Sequence, residues 1–163
     1  MALITTIGGA TSDSYVSASD YAAYVVANID ADFSEVASIN ELNLRRAAQY
    51  IDRRYEGAFV GMRQYQFQSL QWPRLTNHLV QGWPIDPDTV PQAIKNAQME
   101  LAHQIQTGEV DPFESVSATI KSEKLGPLET EYQGGLSTPR LTAINDALRP
   151  YLIGGGQARV RRG

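Results

Sequence analysis

The sequence predicts a mainly α fold: a small helical bundle with a short β-hairpin between the central and last helices, and an extended C-terminal tail. Three observations carry this. Apolar residues recur at helical spacing in four separate stretches, the period drops to two in one region near 115–133, and a run of glycines cuts off a basic end. With 163 residues and 42% apolar content, the chain can bury one core without disulfides or metal, and it contains no cysteine. The expected organisation is a helical domain over 1–153 and a basic tail over 154–163.

The first helix is expected over 17–29. Ser17-Ala18-Ser19-Asp20 offers a hydroxyl cap and an acid at the positive helix end, and Tyr21, Tyr24, Val25 and Ile29 follow on one face. The second helix opens at Ser38-Ile39-Asn40-Glu41, a capping-box pattern, and carries Leu44, Ala47, Ala48, Ile51 and Tyr55 before Gly57 ends it. Glu41 stands four residues ahead of Arg45, the helpful order for an ion pair.

From Gly57 to Thr89 no period persists, and Trp72-Pro73-Arg74, Gly82-Trp83-Pro84 and Asp86-Pro87-Asp88 punctuate the chain. A connection of roughly 30 residues either binds something or packs into its own shape. Phe67, Leu70 and Trp72 are the expected anchors to the core.

Beyond Pro91, Val90, Ile94, Ala97, Leu101, Ala102 and Ile105 mark a long central helix that ends near Gly108. Val116, Ala118 and Ile120 then alternate with polar residues, as do Leu128, Thr130 and Tyr132 after Gly126-Pro127, which predicts two short strands. Thr138-Pro139 starts the last helix, with Leu141, Ile144, Leu148, Tyr151 and Leu152 on its apolar face, and Gly154-Gly155-Gly156 stops it. Leu44, Ile51, Ile94, Leu101, Ile144 and Leu148 are the predicted centre of the bundle.

The chemistry-bearing residues argue against an enzyme, and no cofactor is expected. Glu100 and His103 share a helix face, but a di-metal bundle needs a second such pair, and His78, the other histidine, has no glutamate three residues before it. There is no Gly-x-Ser-x-Gly elbow and no phosphate-binding Gly-x-x-x-x-Gly-Lys loop. The start lacks the basic and apolar regions of a signal peptide, and no stretch nears the roughly 18 apolar residues of a membrane span, so no membrane partner is expected.

Net charge is −4 overall and −7 once Arg159, Arg161 and Arg162 are set aside. Arg45, Arg46, Arg53 and Arg54, with Tyr50 and Tyr55 among them, suggest a nucleic-acid stripe. However, Arg45 and Arg54 point to opposite sides of a helix, and Glu41, Asp52 and Glu56 are available to pair with them.

A series of segments in order resembles a known family. It runs from Ser14-Tyr15-Val16-Ser17 with Asp20-Tyr21, through Leu44 and Ala47-Ala48-Gln49-Tyr50-Ile51-Asp52-Arg53-Arg54-Tyr55 with Gly57 and Gly61. It continues with Gln68-Ser69-Leu70-Gln71-Trp72-Pro73-Arg74, Val90-Pro91-Gln92-Ala93-Ile94 with Glu100-Leu101-Ala102, and Ile120-Lys121-Ser122-Glu123-Lys124-Leu125-Gly126-Pro127-Leu128 with Tyr132. These segments are similar to phage head-completion or head-tail adaptor proteins, many of which carry the label "DnaT-like" by analogy with a primosomal single-stranded-DNA-binding protein. The stretches from Asn28 to Leu44 and from Asn77 to Asp88 depart from the pattern.

That resemblance implies a structural virion protein at the head-tail interface, present in the host cytoplasm during assembly. Its expected partners are a portal protein, a tail, nozzle or stopper protein, and copies of itself in a ring expected to be a dodecamer, with genomic duplex DNA passing through unbound. Arg159, Val160, Arg161 and Arg162 are then the candidate portal-docking residues, and Trp72, Arg74, Trp83, Lys124 and Gly126 the candidate contacts to neighbouring subunits or the tail. The competing readings are a single-stranded-DNA-binding replication protein, which needs an aromatic-lined basic groove, and a small hydrolase or metal enzyme.

Overall fold

The structure is a computed structural model that describes residues 2–33, 37–110, 122–125, 128–131 and 139–154. It contains helices α1 (Ala18–Asn28), α2 (Ala37–Tyr55), α3 (Gln92–Gln106) and α4 (Pro139–Leu148), with a 3-10 turn over Arg149–Tyr151. Between α2 and α3 lie two-residue strands β1 (Met62–Arg63), β2 (Arg74–Leu75), β3 (Leu79–Val80) and β4 (Trp83–Pro84). Between α3 and α4 lie β5 (Ser122–Leu125) and β6 (Leu128–Glu131), so the expected mainly α bundle with an inserted hairpin is the observed fold.

Helix α3 occupies the centre, packing against α1, α2 and α4. The six residues predicted for the middle of the bundle are each at most 1% exposed. A buried amide secures the junction of three segments. The Gln98 Oε1 accepts from the Tyr15 amide at 3.1 Å, while its Nε2 donates to the Ser14 hydroxyl at 2.7 Å and the Leu44 carbonyl at 2.9 Å. Every polar atom of that side chain is satisfied, which is what lets an amide sit at zero exposure in a core.

Several local expectations need adjusting. Ser17 and Asp20 form the capping box of α1, but Ile29 follows the helix as its exposed C-cap rather than facing the core. Helix α2 begins at Ala37, so Ser38 lies inside its first turn rather than ahead of it. The pairing of the inserted hairpin runs from Ser122↔Glu131 to Leu125↔Leu128; the strand expected at Val116–Ile120 lies outside the described residues, as do Gly126 and the tail from Gly155. The stretch just after α4 closes the bundle. The Val60 amide donates to the Tyr151 carbonyl at 3.0 Å and the Ile153 amide to the Ala58 carbonyl at 2.6 Å, so the end of α4 is tied to the exit of α2.

Candidate nucleic-acid interface

The irregular segment after α2 is held from inside by the hydrogen bonds of two buried polar side chains, Arg74 and Gln68. Arg74 is 5% exposed, and its guanidinium is spent on the segment itself. Nε donates to the Val60 carbonyl at 2.9 Å, Nη2 to the Gly61 carbonyl at 2.7 Å, and Nη1 to the carbonyl and side-chain oxygens of Gln71 at 3.2 and 3.0 Å. Burial pushes its pKa below the ordinary arginine value, a cost that these charge-assisted bonds offset. Gln68, 2% exposed, accepts from the Tyr65 amide and donates to the Leu70 and Pro73 carbonyls.

Trp72 is 1% exposed and meets Phe59 and Tyr151 edge to face, with ring centroids 5.6 and 5.8 Å apart. The Gln68-to-Arg74 motif is therefore an internal staple. Trp72 and Arg74, expected at an intersubunit or tail contact, present no surface to a partner.

A second network fixes the staple to α2. The Tyr15 hydroxyl donates to the Asp52 carboxylate and accepts from the amides of Gln71 at 3.1 Å and Trp72 at 3.3 Å. The other Asp52 oxygen accepts from the Gln71 amide at 3.0 Å. Burial outweighs these bonds and pushes Asp52 up to about 6. Asp52 thus serves the staple rather than the neighbouring arginines. Of the suspected arginine stripe, Arg45 pairs with Asp13 at 2.6 Å and Glu41 at 3.8 Å, and the Arg54 guanidinium lies 6.0 Å from the Tyr55 ring.

Among the side chains that the segment turns outward are several aromatic and apolar ones. Phe67 is 76% exposed, against the expectation that it anchors the core, because the chain between β1 and β2 is held by Gln68 instead. Met62 and Leu75 face each other across the β1–β2 ribbon, both exposed. Tyr65 lies over Gly8, where even a Cβ would come within 2.4 Å of its ring, and its hydroxyl donates to Asp88 at 3.0 Å. Trp83 is 77% exposed on the second ribbon, where Gln81 and Gly82 both take positive φ, the geometry of a tight two-residue hairpin turn.

Exposed rings on short ribbons are platforms on which unstacked bases can lie, and such stacking tolerates any base sequence. The whole chain, residues 1–163, matches the family described as "Putative DnaT-like ssDNA binding protein". The chain belongs to this family. No curated protein and no solved structure matches it.

The match overturns the head-tail adaptor reading drawn from the resemblance. The family is described by single-stranded DNA binding, so the portal, tail and stopper partners, the dodecameric ring and the unbound passing duplex are withdrawn together with the virion role. Net charge bears on phosphate contact and does not report exposed aromatic rings such as Phe67 and Trp83. Of the other candidate residues, Lys124 falls on β5, while Gly126, Arg159, Val160, Arg161 and Arg162 lie outside the described residues.

The enzyme hint is occupied by structural contacts. Glu100 accepts from the Tyr24 hydroxyl at 2.8 Å, and His103 packs against Phe33 with ring centroids 6.1 Å apart. Among the described residues no three His, Asp or Glu side chains gather as a metal site would require.

Proposed function

We propose that the protein binds single-stranded DNA and performs no catalysis, holding the strand by base stacking on the exposed rings of the segment between α2 and α3. Family membership across the whole chain is the observation that carries this reading. The exposure of Phe67 and Trp83 supports it, since each lies on a stretch whose backbone is locked from beneath by Arg74, Gln68 or the hairpin turn. A rigid platform loses little entropy when a base settles on it.

Phosphate contact is the smaller contribution. Arg63 is exposed beside this surface, and the sequence places Arg159, Arg161 and Arg162 in a stretch with no acid. The experiment is fluorescence anisotropy with a labelled single strand at low salt. Phe67→Ala lowers affinity by roughly 1 to 3 kcal/mol, the usual cost of removing one stacked base contact, with helix content unchanged. Unchanged affinity in Phe67→Ala and Trp83→Ala together would refute stacking as the mode of binding.

A further inference from the structure

The four arginines of α2 divide into two groups. On a helix of 3.6 residues per turn, Glu41, Arg45 and Asp52 fall within about 40° of arc on one side. Arg46, Tyr50, Arg53 and Arg54, spaced as i, i+4, i+7 and i+8, fall within about 100° on the other. The bonds follow this division. Arg45 is held by Asp13 and Glu41, and the Asp52 carboxylate by Tyr15 and Gln71. Glu56, just past the helix end, belongs with them, since its charge adds to the effect of burial in raising Asp52. The acids of α2 and its exit are therefore gathered on the side away from Arg46, Arg53 and Arg54.

The second side is open to a partner. Arg53 and Arg54 are exposed, and among the described residues neither has a carboxylate within ion-pairing distance. Arg54 lies 6.0 Å from the Tyr55 ring, and Tyr50 packs against the core between Arg46 and the arginine pair. From Arg46 to Arg54 the stripe runs about 12 Å along the helix. The helix dipole favours cations in the last turn, which accounts for Arg53 and Arg54 but not for Arg46, about two turns earlier.

We infer that this side of α2 is the track along which the phosphates of single-stranded DNA lie, with Arg46, Arg53 and Arg54 as the contacts. The inference rests on the single-stranded-DNA reading above and supplies the phosphate contacts that exposed rings do not. Guanidinium groups meet phosphate oxygens whatever the base, so the track adds affinity without sequence preference. From the end of α2 the chain passes through Gly57 to the ribbon that carries Arg63 and leads to Phe67.

The test follows the affinity of the full chain for a labelled oligo-dT against salt concentration, by anisotropy. Each phosphate contact contributes roughly 0.7 to the log–log slope on single strands, so Arg53→Gln should flatten the slope by about 0.7 and Arg53→Gln/Arg54→Gln by about twice that. The loss of affinity is largest at low salt, and helix content stays unchanged. Arg45→Gln removes the same single charge from the opposite side of α2 and should leave the slope as it is in the wild type. An unchanged slope in the double variant, with binding retained, would overturn the track and leave stacking on the rings intact. Equal flattening in Arg45→Gln and Arg53→Gln would also overturn it, by tracing the effect to net charge rather than to contact. No binding of the strand by the wild-type chain would overturn the track and the function on which it rests.

Discussion

The Tyr15 hydroxyl and the Asp52 carboxylate are hydrogen-bonded across 37 positions of sequence, and both accept the amide proton of Gln71. This joint connects the N-terminal segment, α2 and the staple under the exposed rings. Its energetics depend on pH. The folded-state pKa of Asp52 is raised from the ordinary carboxylate value to about 6, so the folded chain holds this proton more tightly than the unfolded chain.

The stabilising contribution of the protonated group is therefore full below about pH 4 and is lost as pH rises through about 6. Relative to Asp52→Asn, the wild type loses at most about 3 kcal/mol of unfolding free energy between pH 4 and 7. Urea unfolding of the two proteins across that range checks it. A parallel pH dependence in both would place the titration elsewhere.

Arg74 should be among the least replaceable residues outside the helices. Its fork meets three carbonyls and one amide oxygen, and no single ammonium reaches all of them. Arg74→Lys is expected to cost about 2 to 4 kcal/mol and Arg74→Ala more, since carbonyls that lose a charged partner stay buried. Denaturant midpoints measure this, and single-strand affinity should fall with them as the platform loosens.

Gly61 and Gly57 make a matched pair. Gly61 has φ +72°, and a Cβ there would lie 2.2 Å from the Leu75 carbonyl oxygen, so Gly61→Ala forces the β1–β2 ribbon apart and should cost about 2 kcal/mol or more. A Cβ at Gly57 meets nothing within 4 Å, so Gly57→Ala should change thermal stability little.

The helices were legible in the sequence because burial on one face writes a period into the chain. Leu44, Ile51, Ile94, Leu101, Ile144 and Leu148 are all core residues, and the Ser17–Asp20 box marks the start of α1. The candidate site was not legible in the same way. Phe67 and Trp72 are both aromatics in an aperiodic stretch, and no local pattern tells which one turns out; the bonds of Gln68 to the Tyr65 amide and the Leu70 and Pro73 carbonyls, and the packing of Trp72 on Phe59 and Tyr151, decide it. Arg74 reads as a surface charge until its carbonyl partners are seen.

The sequence also bears on salt dependence. With net charge −4, binding that rests on stacking should weaken only gently as salt rises. Removing the residues after Gly156 takes away three arginines and should flatten the log–log slope by at most about 2, given a release of roughly 0.7 ions per neutralised phosphate on single strands. An unchanged slope would mean that these arginines do not touch the strand.

The central claim is tested most directly by comparing a labelled single strand with the same sequence as a duplex, at one fixed low salt concentration, by anisotropy with the intact chain. In a duplex the bases remain stacked on each other and cannot lie on Phe67 or Trp83. Stacking on exposed rings predicts saturable binding of the single strand and at least tenfold weaker binding of the duplex. Equal affinity for both, or no binding of the single strand, would contradict it.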